Sequence, residues 1–394
     1  MIEKIKHLAT QYFSEIQAVR QHIHANPELS FQEFETSKFV QQKLTEYNIQ
    51  FETGIAKTGI VALLKSAKNA DKKIIALRSE LDALPIHEKN NCSYVSKNAG
   101  VMHACGHDVH TSILLGAAKI LNELKDEWEG TIKLIFQPSE EKEPGGASVM
   151  IKEGVLENPT PEKILALHVH PSMTVGKTGF KSGLYMASAD EIYLTVKGKG
   201  GHGALPQNCI DTVLIASHIV VALQQIVSRN AYPIIPTVLS FGKMIANGAT
   251  NVIPDEVRIE GTLRTMDEPW RKQVHQKINQ IAKGLAQSMG GDCVVEISNG
   301  YPCLTNDTTT TELSRKFAKE YLGNDNVEEL DLRMTAEDFS FFAEKIPACF
   351  FRLGTASEDG TNSSAVHTST FNIDEKALEL GAGLMAYQAM QHLK

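Results

Sequence analysis

The chain has 394 residues, 42% of them hydrophobic, with 47 acidic side chains against 39 Lys and Arg for a net charge of −8. That length can bury a large core and suggests two domains. The acidic balance excludes nucleic acid and anionic lipid surfaces as natural partners, since both would repel it.

No run of about 18 apolar residues reads as a membrane span. The first residues, Met1-Ile-Glu-Lys-Ile-Lys-His7, carry an acid and an amphipathic pattern, so no secretory leader is expected. Six cysteines without paired spacing fit reduced thiols in a cytoplasmic protein better than a disulfide framework.

In chain order, residues 3–46 show helical apolar spacing, interrupted at Asn26-Pro27. Strand-type segments follow at 49–55, 60–64 and 74–77. A helix after residue 110 leads to a strand at 131–136, a short helix at 146–154 and a strand at 164–169. Strands alternating with helices predict an α/β sheet covered by helices, with functional groups collected at strand ends. Near Ser188 the pattern changes. A half-exposed strand at 191–198, a helix at 211–229, strands at 237–245 and 252–264, a helix at 268–289 and a strand at 293–297 give the order β-α-β-β-α-β of a split βαβ unit. Residues 186–296 therefore read as a small domain inserted into a larger one, made of 1–185 and 297–394.

The segment Met102-His-Ala-Cys-Gly-His-Asp-Val-His110 sits at a loop-to-helix junction and packs three histidines, a cysteine and an aspartate into nine residues. Imidazole and thiolate are the ligands of borderline and soft divalent ions. Cys105 and His107 share a side of an extended segment, and His107 and His110 share a face if a helix begins there. His103 and His110 read as passengers or supporting groups, and Asp108 as a group able to orient an imidazole.

Gln137-Pro-Ser-Glu-Glu141 follows an apolar strand. Two adjacent acids at a buried strand end are costly unless something positive faces them. Their side chains diverge, so one can ligate a metal while the other serves as general base for hydrolysis. In Leu167-His-Val-His-Pro171 alternation puts His168 and His170 on one side, and spacing cannot choose between them. His367 is a lone histidine in a polar loop. Gly198-Lys-Gly-Gly-His-Gly203 formally matches a dinucleotide fingerprint, but Pro206 interrupts the required helix and no suitable acid lies about 20 residues on. The glycines around His202 indicate instead a backbone that must approach something closely.

Together these segments resemble the M20 family of metallopeptidases and aminoacylases, specifically its amidohydrolase branch of hippurate hydrolases, N-acetyl-amino-acid deacetylases and auxin-conjugate hydrolases. The matching pieces run nearly end to end: Arg20 with Asn26–Ser30, Leu77-Arg78 with Asp82–Pro85, the blocks 103–111 and 137–141, and Leu167–Val169. They continue with Gly201-His202, Ala204 and Pro206, then Asn251–Pro254, Gly261–Arg264, Glu337–Phe339 and His367-Thr368. One departure is visible: Gln207-Asn208 follows Pro206 where relatives often have His.

The resemblance implies a mixed-sheet, metal-dependent exopeptidase-like catalytic domain carrying an inserted ferredoxin-like lid or dimerisation domain. It implies two divalent ions, zinc or manganese with cobalt or nickel also suiting, held by Cys105, His107, Glu141, His168 and His367. Glu140 would be the general base. His202 would polarise the scissile carbonyl from across the domain boundary, supplied by the partner subunit of a homodimer. Asn251 and Arg264 would contact the substrate carboxylate or oxyanion. The implied reaction is hydrolysis of N-acyl amino acids; the alternatives are an aminopeptidase or dipeptidase on the same scaffold, or a non-catalytic metal-stabilised relative. Two divalent ions against one thiolate and one carboxylate leave a positive site, which favours a substrate bearing a carboxylate.

Overall fold

The computed structural model describes all 394 residues. They form two compact units, one of Met1–Tyr185, Thr305–Asp331 and Asp338–Lys394, the other of Met186–Leu304 with Leu332–Glu337. Residues 297–304 and 332–337 thus go with the smaller unit. The strand Asp292–Ser298 explains the first of these, because its ladder to Asp190–Lys197 continues to Ser298 opposite Glu191.

The larger unit is built on an eight-stranded mixed sheet in the order Gln50–Ile55, Gly59–Lys65, Thr131–Gln137, Ile74–Glu80, Ile164–Thr174, Ala348–Ala356, Thr178–Phe180, Val327–Glu329. Its centre is parallel: Ile74–Glu80 lies between Thr131–Gln137 and Ile164–Thr174 and runs with both. Every residue of Thr131–Gln137 and of Ala348–Ala356 is buried, so both faces of these strands are covered and, Lys133 and Arg352 aside, they are mostly apolar rather than alternating.

Helices Ile2–Ala25, His107–Glu123 and Lys376–His392 join the sheet in a single apolar core. Fourteen of the seventeen residues of His107–Glu123 are buried, so this helix is enclosed on all sides and its N-terminus is held firmly against the sheet. Each fully buried Leu or Ile there contributes about 1.5–3 kcal/mol. The strand expected to end near Pro171 instead continues to Thr174, pairing with Ala348–Ala356 along its length.

The smaller unit has a four-stranded antiparallel sheet in the order Thr237–Ile245, Glu256–Thr265, Asp190–Lys197, Asp292–Ser298. Helices Thr212–Leu223 and Glu268–Ser288 pack on it. Pro254 separates the short strand Val252–Ile253 from Glu256–Thr265, where the sequence predicts one continuous strand. The segment Thr212–Asn230, whose last turn has π geometry, is long and apolar enough by composition to cross a membrane, which corrects the sequence expectation. Its Ile215, Ala216, Ile219, Leu223 and Ile226 are buried in the core of this unit, as expected of one apolar stripe on a sheet-packing helix.

Candidate metal centre

Three neighbouring parallel strands deliver the acidic and imidazole groups. Asp82 lies just past Ile74–Glu80, Glu140 and Glu141 just past Thr131–Gln137, and His168 within Ile164–Thr174. Ligand groups collect at the carboxyl ends of such strands because the loops there are free to vary. The helix His107–Glu123 begins at the same edge. Its N-cap, Gly106, has φ +87°, and a Cβ there would stand 2.7 Å from Val169 Cγ2. Glycine is thus required between Cys105 and His107.

Cys105 Sγ lies 3.4 Å from His168 Nε2 and 3.3 Å from His367 Nε2, and His367 Nε2 lies 3.2 Å from Glu141 Oε1. Two donor triads share Cys105, namely Cys105–His107–His168 and Cys105–Glu141–His367, with all donor atoms in each within 4.8 Å of one another. Glu140 is in neither, though its carboxylate lies equally close to His107 and Glu141. Glu140 Oε2 stands 3.9 Å from His107 Nε2, beside the triads. His367 is brought in from far along the chain by its N–H, which donates to Ala104 O at 2.7 Å; its backbone is left-handed at φ +62°. A non-glycine residue held there is strained, and such strain clusters at functional positions.

The imidazoles are oriented by their other nitrogens. His168 Nδ1 donates to Val169 O at 2.8 Å, and His107 Nδ1 donates to Asp82 O at 2.9 Å. His107 Nε2 is fully buried without a hydrogen-bond partner. An orphaned buried nitrogen aimed at a thiol and two carboxylates fits a cation. Burial disfavours a charged His107, but the Asp82 hydrogen bond and the carboxylates of Glu80, Asp82 and Glu141 outweigh it and push His107 up to about 10. The carboxylates around His107 therefore favour positive charge on this ring. Burial, helped by the Arg352 charge, holds His168 well below the ordinary range, as a neutral ligand requires.

The rest of the histidine-rich segment divides differently from the sequence reading. His103 is buried with neither nitrogen partnered, and burial pushes it down to about 3. Asp108 does orient an imidazole, but that of His24: its Oδ2 accepts from His24 Nδ1 and from Arg20 Nε, both at 2.8 Å. His110 Nε2 accepts from Val169 N–H at 3.0 Å while Nδ1 donates to Glu80 Oε2 at 2.8 Å, so both nitrogens are used. His170 is half-buried beside Ser172 Oγ at 3.2 Å, and His168 is the one brought to Cys105.

Two buried acids escaped the sequence reading. Asp82 accepts the N–H groups of Glu140 and Glu141, each at 3.0 Å, as well as the Ser30 hydroxyl at 2.7 Å. Glu80 is held by Arg78 and His110. Like Glu140 and Glu141, both lie at the end of a buried strand, here Ile74–Glu80.

Within the smaller unit, His202 and Asn251 are adjacent. His202 pairs with Val252, and the Gly203 N–H donates to Asn251 O at 2.8 Å. A Cβ on Gly200 would stand 2.5 Å from Ile253 O, so the glycines permit close backbone approach rather than phosphate binding. The exposed His202 receives the Ala204 N–H on Nδ1 at 3.0 Å, which leaves Nε2 protonated and free to donate. Arg264 sits at the far end of Glu256–Thr265, opposite Val238, whereas Glu256 at the near end pairs with Lys197 close to the His202 loop. The smaller unit therefore joins His202 with Asn251 and keeps Arg264 apart.

The family model described as peptidase family M20/M25/M40 matches residues 76–391. The N-acetyl-L-cysteine deacetylase of Bacillus subtilis is 40% identical over 375 residues, covering 95% of this chain and 87% of that protein. An N-acyl-L-amino acid amidohydrolase of Geobacillus stearothermophilus is 41% identical over 299 residues, covering 76% of this chain and 80% of that protein. The crystal structure of the Bacillus subtilis YXEP protein, described as a dinuclear metal-binding peptidase of the M20 family, superposes with a TM-score of 0.82 at 32% identity over 98% of this chain and 99% of that one. With its sheet order, its convergent Cys, His and Glu donors and these similarities, the chain belongs to peptidase family M20/M25/M40, in its amidohydrolase branch.

Proposed function

We propose that this protein hydrolyses the amide bond of N-acyl amino acids, releasing a carboxylic acid and a free amino acid. As a member of its family it is a metal-dependent hydrolase. The observation that carries the reading is the pair of donor triads sharing Cys105, with the Glu140 carboxylate beside them and outside both. A saturated structural site needs no such spare base.

Cys105, His107 and His168 would hold one divalent ion, and Cys105, Glu141 and His367 the other. Bound there, the ions supply Lewis acidity and an acidified water. Glu140 accepts the proton of the attacking water and returns it to the departing nitrogen. Because Ala204 N–H occupies its Nδ1, His202 presents Nε2–H as the donor to the developing oxyanion; such donors are typically worth about 3–4 kcal/mol. Asn251, next to it on the same small ladder, is assigned to the substrate carboxylate; Arg264 is the less favoured candidate for that contact.

The partner reading is a second copy of this chain. Thr237–Ile245 is a long uncovered edge strand, with Val238 and Met244 exposed. The outward face of Thr212–Leu223 exposes Val213, Leu214 and Val221. An open edge and an apolar helix face on one unit favour self-association.

Metal analysis combined with turnover of acetyl-methionine, hippurate and a free dipeptide tests the assignment. Acyl-amino-acid hydrolysis with two bound ions supports it. Turnover of the dipeptide alone would redirect it to a peptidase.

A further inference from the structure

The turn bearing Glu140 and Glu141 is gripped through three successive backbone N–H groups. Asp82 holds two of them, from Glu140 and Glu141. The third, from Ser139, donates at 2.9 Å to Oε1 of Glu33, a fully buried residue more than a hundred positions earlier in the chain. The same Oε1 accepts the Phe31 N–H at 2.8 Å, while Oε2 accepts the Thr58 hydroxyl at 2.7 Å. Ser139 has φ +50°, so the turn forms a concave run of amides of the kind that binds anions. Here two carboxylates of the protein itself fill that concavity.

We propose that Glu33 is a positioning residue for hydrolysis: by fixing Ser139 it sets where the Glu140 carboxylate stands over the reacting water. The proposal rests on the assignment of Glu140 and Glu141 made above. Glu33 is buried at the start of the helix Phe34–Glu46, yet its carboxylate reaches beyond its own neighbourhood to a distant loop. Non-glycine residues at positive φ persist only when their surroundings over-determine them, and Glu33 secures two, Phe31 and Ser139. Burial and the Asp82 charge push Glu33 up to about 7. When protonated on Oε2 it can donate to Thr58 while Oε1 keeps both amides. A glutamine can do the same.

The test compares Glu33→Ala with Glu33→Gln in the metal-loaded enzyme, measuring kcat, KM, the acid limb of the kcat–pH profile and metal retention against a chelator. Glu33→Ala should lower kcat by roughly 10- to 100-fold with KM changed by less than about threefold. It should also shift the acid limb and weaken metal retention by about tenfold or more. Glu33→Gln should restore all four to within about threefold of the parent. The proposal is overturned if Glu33→Ala keeps its turnover and its acid limb, or if Glu33→Gln falls as far as Glu33→Ala. Should Glu33→Ala not fold, Glu33→Asp takes its place, since the shorter side chain withdraws the carboxylate from the Ser139 N–H; an unchanged kcat in that variant then overturns the proposal. Glu140→Gln in the same assays separates the two ideas. If it leaves turnover intact, the assignment of the base fails, whatever Glu33 does.

Discussion

The Val169 N–H donates to His110 Nε2 at 3.0 Å, so a histidine of the histidine-rich segment pins the strand backbone beside a proposed ligand. Val169 O in turn receives His168 Nδ1, and Glu80 fixes the His110 tautomer. The chain Glu80–His110–Val169 thus aims His168 Nε2 at Cys105. His110→Phe should weaken metal affinity by about 10- to 100-fold and destabilise the protein by about 1–3 kcal/mol, because Glu80 Oε2 loses its partner while Oε1 keeps Arg78. Calorimetric metal titration and denaturant unfolding check the two effects. An unchanged affinity would reduce His110 to a packing role.

Replacing Glu140 by Gln removes the proposed base but no proposed metal ligand, and the turn contact stays because its backbone N–H remains on Asp82. We expect kcat to fall by about 10²–10⁴-fold while metal content stays at the parent level, as read by steady-state kinetics and elemental analysis on the same sample.

Cys105 lies in both donor triads. Its sulfur is therefore the shared weak point of the proposed centre. Mild peroxide should inactivate the enzyme, reductant should restore it, and saturating divalent ion should slow the loss. Indifference to peroxide with metal still bound would argue against a thiolate ligand.

Glu33 gives a pH dependence whose sign can be worked out. Its pKa is raised from 4.5 to about 7 by burial and by Asp82. A raised folded-state value means the folded form holds the proton more tightly, so the contribution is full below about pH 4.5 and is lost as pH rises through about 7. In metal-free protein, parent stability should therefore fall relative to Glu33→Gln across that window, by about 3 kcal/mol at most. Denaturant midpoints at pH 5 and pH 8 for both proteins decide it. A gap that does not change with pH would return Glu33 to an ordinary carboxyl.

Val221 is 72% exposed on the outer face of its helix. If that face meets a second copy, Val221→Glu should convert a dimer to a monomer in light scattering, with the thermal midpoint of each unit little changed. A parent that is already monomeric would remove the dimer proposal.

The strands and helices were legible because apolar periodicity is a local property: Thr237–Ile245, Glu268–Ser288 and Thr131–Gln137 all lie within a residue or two of the expected segments. The segment 102–110 and the pair Glu140-Glu141 were likewise visible, since several potential ligands close together in a chain need a common explanation. What proximity in sequence cannot supply is which nitrogen faces which atom. His168 and His170 were equivalent by alternation until the fold put His168 against Cys105. His367 was an isolated histidine until its N–H met Ala104 O. Asp108 orients an imidazole as expected, but the fold makes that imidazole His24, with Arg20 beside it, because those side chains arrive from the N-terminal helix.

The sequence by itself determined the periodic elements, the insertion of a second unit and the inventory of metal-favouring side chains, because these depend only on residue type and spacing. Only the tertiary structure decided the division of labour among them. Burial makes each polar atom take a specific partner, and Asp82, Glu33 and His110 acquire their roles from partners that lie dozens of residues away along the chain.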